Sequence, residues 1–296
     1  MMKLHNVSAG YGGKKVLEDI TLEFDRELTV VLGPNGAGKT TLFRVCCGVL
    51  RPINGTVTID GYDIYEDLKA KAVLGYLPHS DGLIEDMTVL ENLLFYSRVY
   101  EINESDAFKR INELSQYLEF KNLLNTKVIL LSHGQRRRVA IARVLLNDPK
   151  ILFLDEPSEG LDPMIAKKFR EFIKNNKRKM TIIYSSHNLY EATDLAENVC
   201  VLDNGKILFQ GSMNKLRDSI KGFNIGLKVI GNPLEILNSL GYQAENVNGM
   251  WIINVNSEEE IGAIVNELVK NNITILKITE IENVLERFLE NLRRIK

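Results

Sequence analysis

The chain has 296 residues, which at ~100–200 residues per domain implies two domains or one large domain with an attachment. Its 45% hydrophobic and 26% charged residues are those of an ordinary globular protein, which excludes disorder or a fibrous repeat as the main theme. Lys+Arg 37 against Asp+Glu 39 leaves a net charge of −2, so no global basic field exists to hold nucleic acid or an anionic membrane.

The opening Met1-Met2-Lys3-Leu4-His5-Asn6 lacks an apolar core, and no stretch approaches the ~18–20 apolar residues of a membrane helix. Neither a membrane span nor a signal peptide is expected. Cys46, Cys47 and Cys200 form no CxxC pair, which fits a reducing compartment and a cytoplasmic location. From Lys3 to about Asp60 the pattern predicts short strands, Lys3–Val7, Val16–Phe24, Leu28–Leu32 and Thr56–Asp60, interrupted by a helix after Gly38. From Asp81 to Asn147 the reading is mainly helical, opening on the capping box Thr88-Val89-Leu90-Glu91. After Pro149 the apolar runs Ile151–Leu154 and Met180–Tyr184 flank a helical stretch around Ile165–Ile173, as buried parallel strands joined by a crossover do.

Near Gly211-Ser212 the grammar changes. The tail reads strand Asn224–Ile230, helix Leu234–Leu240, strands Tyr242–Val247 and Met250–Val255, helix Glu258–Lys270 and strand Ile273–Ile278, a ferredoxin-like βαββαβ order. A last helix is expected over Ile281–Arg294, with Ile281, Val284, Leu285, Phe288 and Leu289 on one apolar stripe. The expected fold class is α/β, with short N-terminal strands, a parallel-strand core and a helical insertion at about 81–147, over 1–218. A small C-terminal α+β domain occupies 219–296.

Three segments carry chemistry. Gly33-Pro34-Asn35-Gly36-Ala37-Gly38-Lys39-Thr40 matches GxxxxGK[ST] between an apolar strand and the helical Thr41-Leu42-Phe43. Its glycines let backbone N–H groups converge on phosphate oxygens, Lys39 supplies a point charge, and Thr40 offers a hydroxyl to Mg²⁺. Ile151-Leu152-Phe153-Leu154-Asp155-Glu156-Pro157 is an apolar strand ending in two acids. Because side chains alternate along a strand, the two carboxylates are expected to take different tasks: Asp155 beside Mg²⁺, Glu156 toward the water that attacks a γ-phosphate. Between them, Leu131-Ser132-His133-Gly134-Gln135 leads into a helix over Arg136–Leu146. Ser132 and Gln135 form a capping box, Arg136–Arg138 read as a solvated first turn, and a capped helix start with a glycine is also an anion site.

In this order and at these separations, the three segments resemble the nucleotide-binding subunit of ABC transporters, whose signature is usually LSGGQ. The likeness covers roughly residues 1–218 and implies a P-loop NTPase core with an antiparallel β subdomain and a helical insertion. It implies an ATPase using ATP and Mg²⁺, and a head-to-tail dimer in which ATP on Lys39 of one copy is closed over by Ser132, Gly134 and Gln135 of the other. Tyr11 resembles the aromatic residue that stacks on adenine, the lesser alternative being a half-buried strand-end tyrosine. Ser158-Glu159-Gly160-Leu161-Asp162 resembles the loop that crosses the dimer interface, and Asp162-Pro163 is also a helix start. His187 resembles the switch histidine at the γ-phosphate. His79 stands where the family has a glutamine, and imidazole suits Mg²⁺ poorly. His133 replaces a signature glycine, with little catalytic effect expected.

Leu83-Ile84 through Leu93–Tyr100 resembles the edge on which an integral membrane permease docks, while Leu93, Leu94 and Tyr100 read equally as subdomain core. The implied protein drives a separate permease, for export on the analogy of the tail, from the cytoplasmic face of the membrane, with no nucleic acid bound. A soluble ABC ATPase acting on ribosomes or DNA, or an ATP-switched regulatory module, remain alternatives. A GTPase is disfavoured by the lack of an NKxD-type motif after the phosphate loop.

Overall fold

In a computed structural model of the chain, residues 1–25, 27–219, 222–281 and 285–289 are described. They fall into two units, Met1–Ser212 and Met213–Lys296. The division follows Ser212, whereas the sequence reading places it after residue 218. The helix Met213–Ser219 belongs with the second unit.

The first unit is built on a six-stranded sheet in the order Lys206–Ser212, Asn198–Asp203, Leu28–Leu32, Thr181–Ser185, Ile151–Asp155, Leu74–Leu77. Its strands pair in parallel except for the edge strand Lys206–Ser212. Every residue of Leu28–Leu32, Ile151–Asp155 and Thr181–Ser185 is buried, which is why these strands read as unbroken apolar runs. A second, antiparallel sheet runs Lys14–Phe24, Met2–Tyr11, Asn54–Ile59, Tyr62–Asp63. One core cluster joins the two sheets through the helix Lys39–Cys46. At its centre the Phe153 ring meets Phe43 edge-on at 5.3 Å and Phe24 at 6.0 Å. Burying three aromatic side chains there fixes the helix, and hence the loop before it, against the strand Ile151–Asp155.

The region 81–147 holds the helices Val89–Val99, Glu104–Tyr117 and His133–Leu145, with short 3₁₀ turns at Lys121–Leu123 and Val128–Leu130. The expected capping box is present: Thr88 N donates to the Glu91 carboxylate at 2.7 Å, and Glu91 N to Thr88 Oγ1 at 3.2 Å. Leu93 is core, Leu94 and Tyr100 are half-buried, and Phe95 and Val99 are the exposed apolar residues of that helix.

The second unit has a four-stranded antiparallel sheet in the order Ala244–Val247, Met250–Val255, Phe223–Ile230, Thr274–Glu280. The helices Leu234–Ser239 and Glu258–Lys270 complete the βαββαβ order. Its own core holds Ile225, Leu227, Leu237, Ile253, Val255, Ile264 and Leu268. Of the helix expected over Ile281–Arg294, residues 285–289 are helical, Ile281 is not, and the rest lies outside the described residues.

Candidate functional site

The strand Leu28–Leu32 hands the chain to the Gly33–Gly38 loop, which turns into the helix Lys39–Cys46. The glycines are structural requirements here. A Cβ on Gly33 would lie 2.2 Å from the Leu202 carbonyl oxygen, and Gly36 and Gly38 hold φ values of 81° and 108°, in the region that side chains disfavour. The Lys39 Nζ donates to the carbonyls of Gly33 at 2.7 Å and Pro34 at 3.2 Å, so the lysine arches back over its own loop. Burial holds the Lys39 ammonium below its ordinary pKa, with the Glu156 and Asp155 carboxylates opposing that shift.

Asp155 ends the strand Ile151–Asp155 and is buried with both carboxylate oxygens engaged. Thr40 Oγ1 donates to Oδ2 at 2.8 Å and Ser185 Oγ to Oδ1 at 2.7 Å. Glu156 differs from it for another reason than strand alternation. The strand stops at Asp155, and Glu156 adopts φ 48°, a left-handed conformation uncommon for a residue with a side chain. Its backbone N–H donates to Ser185 Oγ at 2.9 Å, which helps hold that turn. The Glu156 Oε2 lies 3.0 Å from His187 Nδ1, and His79 Nε2 lies 3.5 Å from Glu159 Oε2.

Lys39, Thr40, His79, Glu156, Glu159 and His187 share one cleft of about 530 Å³, whereas the buried Asp155 is not among its lining residues. The cleft is lined by Asn35, Gly36, Gly38, Lys39, Thr40 and Thr41 of the loop, by His79, Glu156, Glu159 and His187 from other segments, and by Val16. Gly33, Pro34 and Ala37 shape the loop without lining the cleft. Tyr11 is exposed at the end of its strand, with its hydroxyl accepting from Arg44 Nη1 at 3.0 Å, and is not among the lining residues.

Ser132, Gly134 and Gln135 are also not among them. They form the capped start of the helix His133–Leu145, where Ser132 N donates to Gln135 Oε1 at 2.9 Å and Gln135 N to Ser132 Oγ at 3.3 Å. Asp162 caps Pro163–Asn176, accepting from Ile165 N at 3.0 Å, with Pro163 at the first helical position. A Cβ on Gly134 would sit 2.5 Å from the Gly160 carbonyl oxygen, and a Cβ on Gly160 would sit 2.1 Å from the His133 ring, so the two loops pack tightly together.

The sequence reading places Arg136–Arg138 on a solvated turn, and Arg137 corrects it: this side chain is 2% exposed. Its Nη2 donates to the carbonyls of Asp155 at 2.7 Å and Glu156 at 2.9 Å, and its Nη1 to Pro78 at 2.9 Å and His79 at 3.3 Å. The Nε donates to the Pro157 carbonyl at 3.3 Å. Arg137 thus ties the segment carrying His79 to the turn carrying Glu156. Its position at i, with Ala140, Ile141 and Val144 at i+3, i+4 and i+7 of one buried stripe, was the available signal. Val16 and Glu159 are cleft residues that the sequence reading did not single out as site residues; Val16 carries no motif, and Glu159 sits inside one.

A family model described as "ABC transporter" matches residues 17–159. The "ABC transporter ATP-binding protein NatA" of Bacillus subtilis (strain 168) is 37% identical over 69% of this chain and 85% of its own length. The "Nod factor export ATP-binding protein I" of Cupriavidus pinatubonensis is 34% identical, covering 80% of this chain and 74% of that protein. The "Molybdate/tungstate import ATP-binding protein WtpC" of Methanocaldococcus jannaschii is 33% identical, covering 76% and 77%. Among solved structures, an ATP-binding cassette described as dimeric, in a post-hydrolysis state with ADP and Pi, superposes with a TM-score of 0.66 at 27% identity, over 72% of this chain and 99% of that one. A glycine cradle ending in Lys39, an acid pair after a buried strand, and relatives matched across most of their length leave one assignment: the chain belongs to the ATP-binding proteins of ABC transporters and is an ATPase.

Proposed function

We propose that two copies of this chain bind head to tail around two MgATP and drive a separate integral membrane permease, for export, from the cytoplasmic face of the membrane. The observation that carries the reading is the separation within one chain: Ser132, Gly134 and Gln135 form a capped helix start outside the cleft built on Lys39 and Glu156. A second copy is the natural supplier of that helix start to the cleft. The dimeric cassette among the structural relatives supports this arrangement, and the Nod factor export proteins support the direction. An import protein matches the same cassette, so direction must be read by experiment.

The residues divide the work. Loop N–H groups from Asn35 to Thr41 and the N-terminus of Lys39–Cys46 bind the phosphates, and Lys39 neutralises their charge. Thr40 and Asp155 present a hydroxyl and a carboxylate 2.8 Å apart, hard oxygen donors that fit Mg²⁺. When bound, that ion neutralises charge building on the phosphate oxygens. Glu156 accepts a proton from the attacking water, with His187 at 3.0 Å positioned to orient its carboxylate and to contact the γ-phosphate. Asp162 joins the interface loop, Tyr11 offers a ring to adenine, and the exposed Phe95 and Val99 offer the permease an apolar edge. A regulatory role at the permease is proposed for the second unit.

Glu156→Gln removes the proton acceptor and keeps the side chain's shape. Turnover is expected to fall by about 10²–10⁴-fold while ATP holds the variant as a dimer in size-exclusion chromatography with light scattering. Undiminished hydrolysis, or monomers at saturating ATP, would overturn the reading. Purification of the chain from membranes should bring with it a multi-spanning protein; recovery with ribosomes instead would point to a soluble relative.

A further inference from the structure

We propose that His79, Glu156 and Glu159 form a three-ligand site for a divalent transition ion of the Zn²⁺ type, whose occupancy withholds Glu156 from hydrolysis. The inhibitory half rests on the assignment of Glu156 as the water-activating group. One donor atom from each residue lies within 4.8 Å of the other two, and the His79 Nε2 to Glu159 Oε2 distance is 3.5 Å. Ligands about 2.1 Å from a tetrahedral ion lie roughly 3.4 Å apart, so one edge is already close to its bound length. The adjustment falls on the movable members. The His79 and Glu159 side chains are 61% and 43% exposed, whereas Glu156, at 16%, is held by its left-handed turn. His187, bonded to Glu156 at 3.0 Å, is the outer partner that orients a ligating carboxylate.

The donor set decides which ion. Mg²⁺ takes oxygen ligands in near-ideal octahedral geometry, and Thr40 with Asp155 supply such donors at a separate place. One imidazole with two carboxylates suits Zn²⁺ or Co²⁺ instead. It is His79 that introduces the nitrogen. The thiols offer no rival site: Cys46, Cys47 and Cys200 are all buried, and burial pushes the Cys200 thiol up to about 12 and the other two upward.

The test is a titration of the untagged full-length chain, free of nucleotide, with Co²⁺, read by the visible absorption of low-coordinate cobalt. One Co²⁺ per chain should bind, Zn²⁺ should displace it, and excess Mg²⁺ should not. His79→Gln and Glu159→Gln should each weaken binding by at least about tenfold, the lower bound set by losses seen for outer-shell changes alone. Both positions are exposed, so unchanged melting temperatures separate ligand loss from misfolding. Zn²⁺ should inhibit ATP hydrolysis over the range in which it displaces Co²⁺. Absence of the cobalt band, binding unaltered in both variants, or equally ready displacement by Mg²⁺ would overturn the site. Normal Zn²⁺-insensitive hydrolysis would overturn its inhibitory role. A Glu156→Gln variant that hydrolyses ATP at the wild-type rate would instead sink the functional assignment, leaving the titration to decide the site.

Discussion

At the residue scale, Arg137 shows how one buried cation can set a site it does not enter. Its guanidinium serves five carbonyls from Pro78, His79, Asp155, Glu156 and Pro157. Burial holds its pKa below the ordinary arginine value, with the charges of Asp81, Asp155 and Glu159 opposing the shift. Arg137→Met keeps the apolar stem and removes every donor. Several buried carbonyls then lose their partner at ~1–3 kcal/mol each, so a net loss of about 3–5 kcal/mol is expected, or on the order of 10 °C in melting temperature. Activity should fall with it, because the turn holding Glu156 loosens; a melting temperature within a degree or so of the wild type would refute the account. Charge alone argues for solvent at three consecutive arginines, and the one sign against it was the place of Arg137 on the stripe of Ala140, Ile141 and Val144. The left-handed turn at Glu156 was hidden, because no glycine marks it. The glycine cradle was legible because close approach at Gly33 and positive φ at Gly36 and Gly38 disfavour any other residue.

At the scale of elements, the strands and caps were readable for physical reasons that differ between them. Leu28–Leu32 and Ile151–Asp155 are covered on both faces, which writes an apolar run into the chain. Thr88/Glu91 and Ser132/Gln135 are reciprocal caps whose spacing is set by helix geometry. What spacing could not show is which loop packs on the cap. Gly134 lies against the Gly160 backbone, so Gly134→Ala adds a methyl 2.5 Å from a carbonyl oxygen that cannot swing away. The ~1 kcal/mol that alanine gains in helix propensity is outweighed by overpacking of about 1–3 kcal/mol, and the variant should be destabilised. Gly262 makes the opposite case, in the helix Glu258–Lys270 with open space where a Cβ would point. Gly262→Ala should stabilise the second unit by about 0.5–1 kcal/mol. Denaturant titrations of the two variants should therefore move in opposite directions; a shared sign would show that propensity or crowding alone governs both.

At the scale of the molecule, each unit has its own core, and the two clusters share no residue. The phosphate loop, the acid pair, His79 and His187 all lie within Met1–Ser212, so the proposed site predicts that ATP stabilises the folded form of that unit. Calorimetry of the full chain should accordingly resolve two transitions. A nucleotide at 100 times its dissociation constant adds about 2.7 kcal/mol to the state that binds it, which for a unit of this size is a shift of roughly 5–10 °C. Added ATP in the absence of turnover, most simply with Glu156→Gln, should raise one transition by that amount and leave the other in place. A single transition that moves as a whole would mean that the two cores unfold together. The second unit would then contribute directly to the stability of the nucleotide-binding unit, and its regulatory role would have to be sought in that coupling.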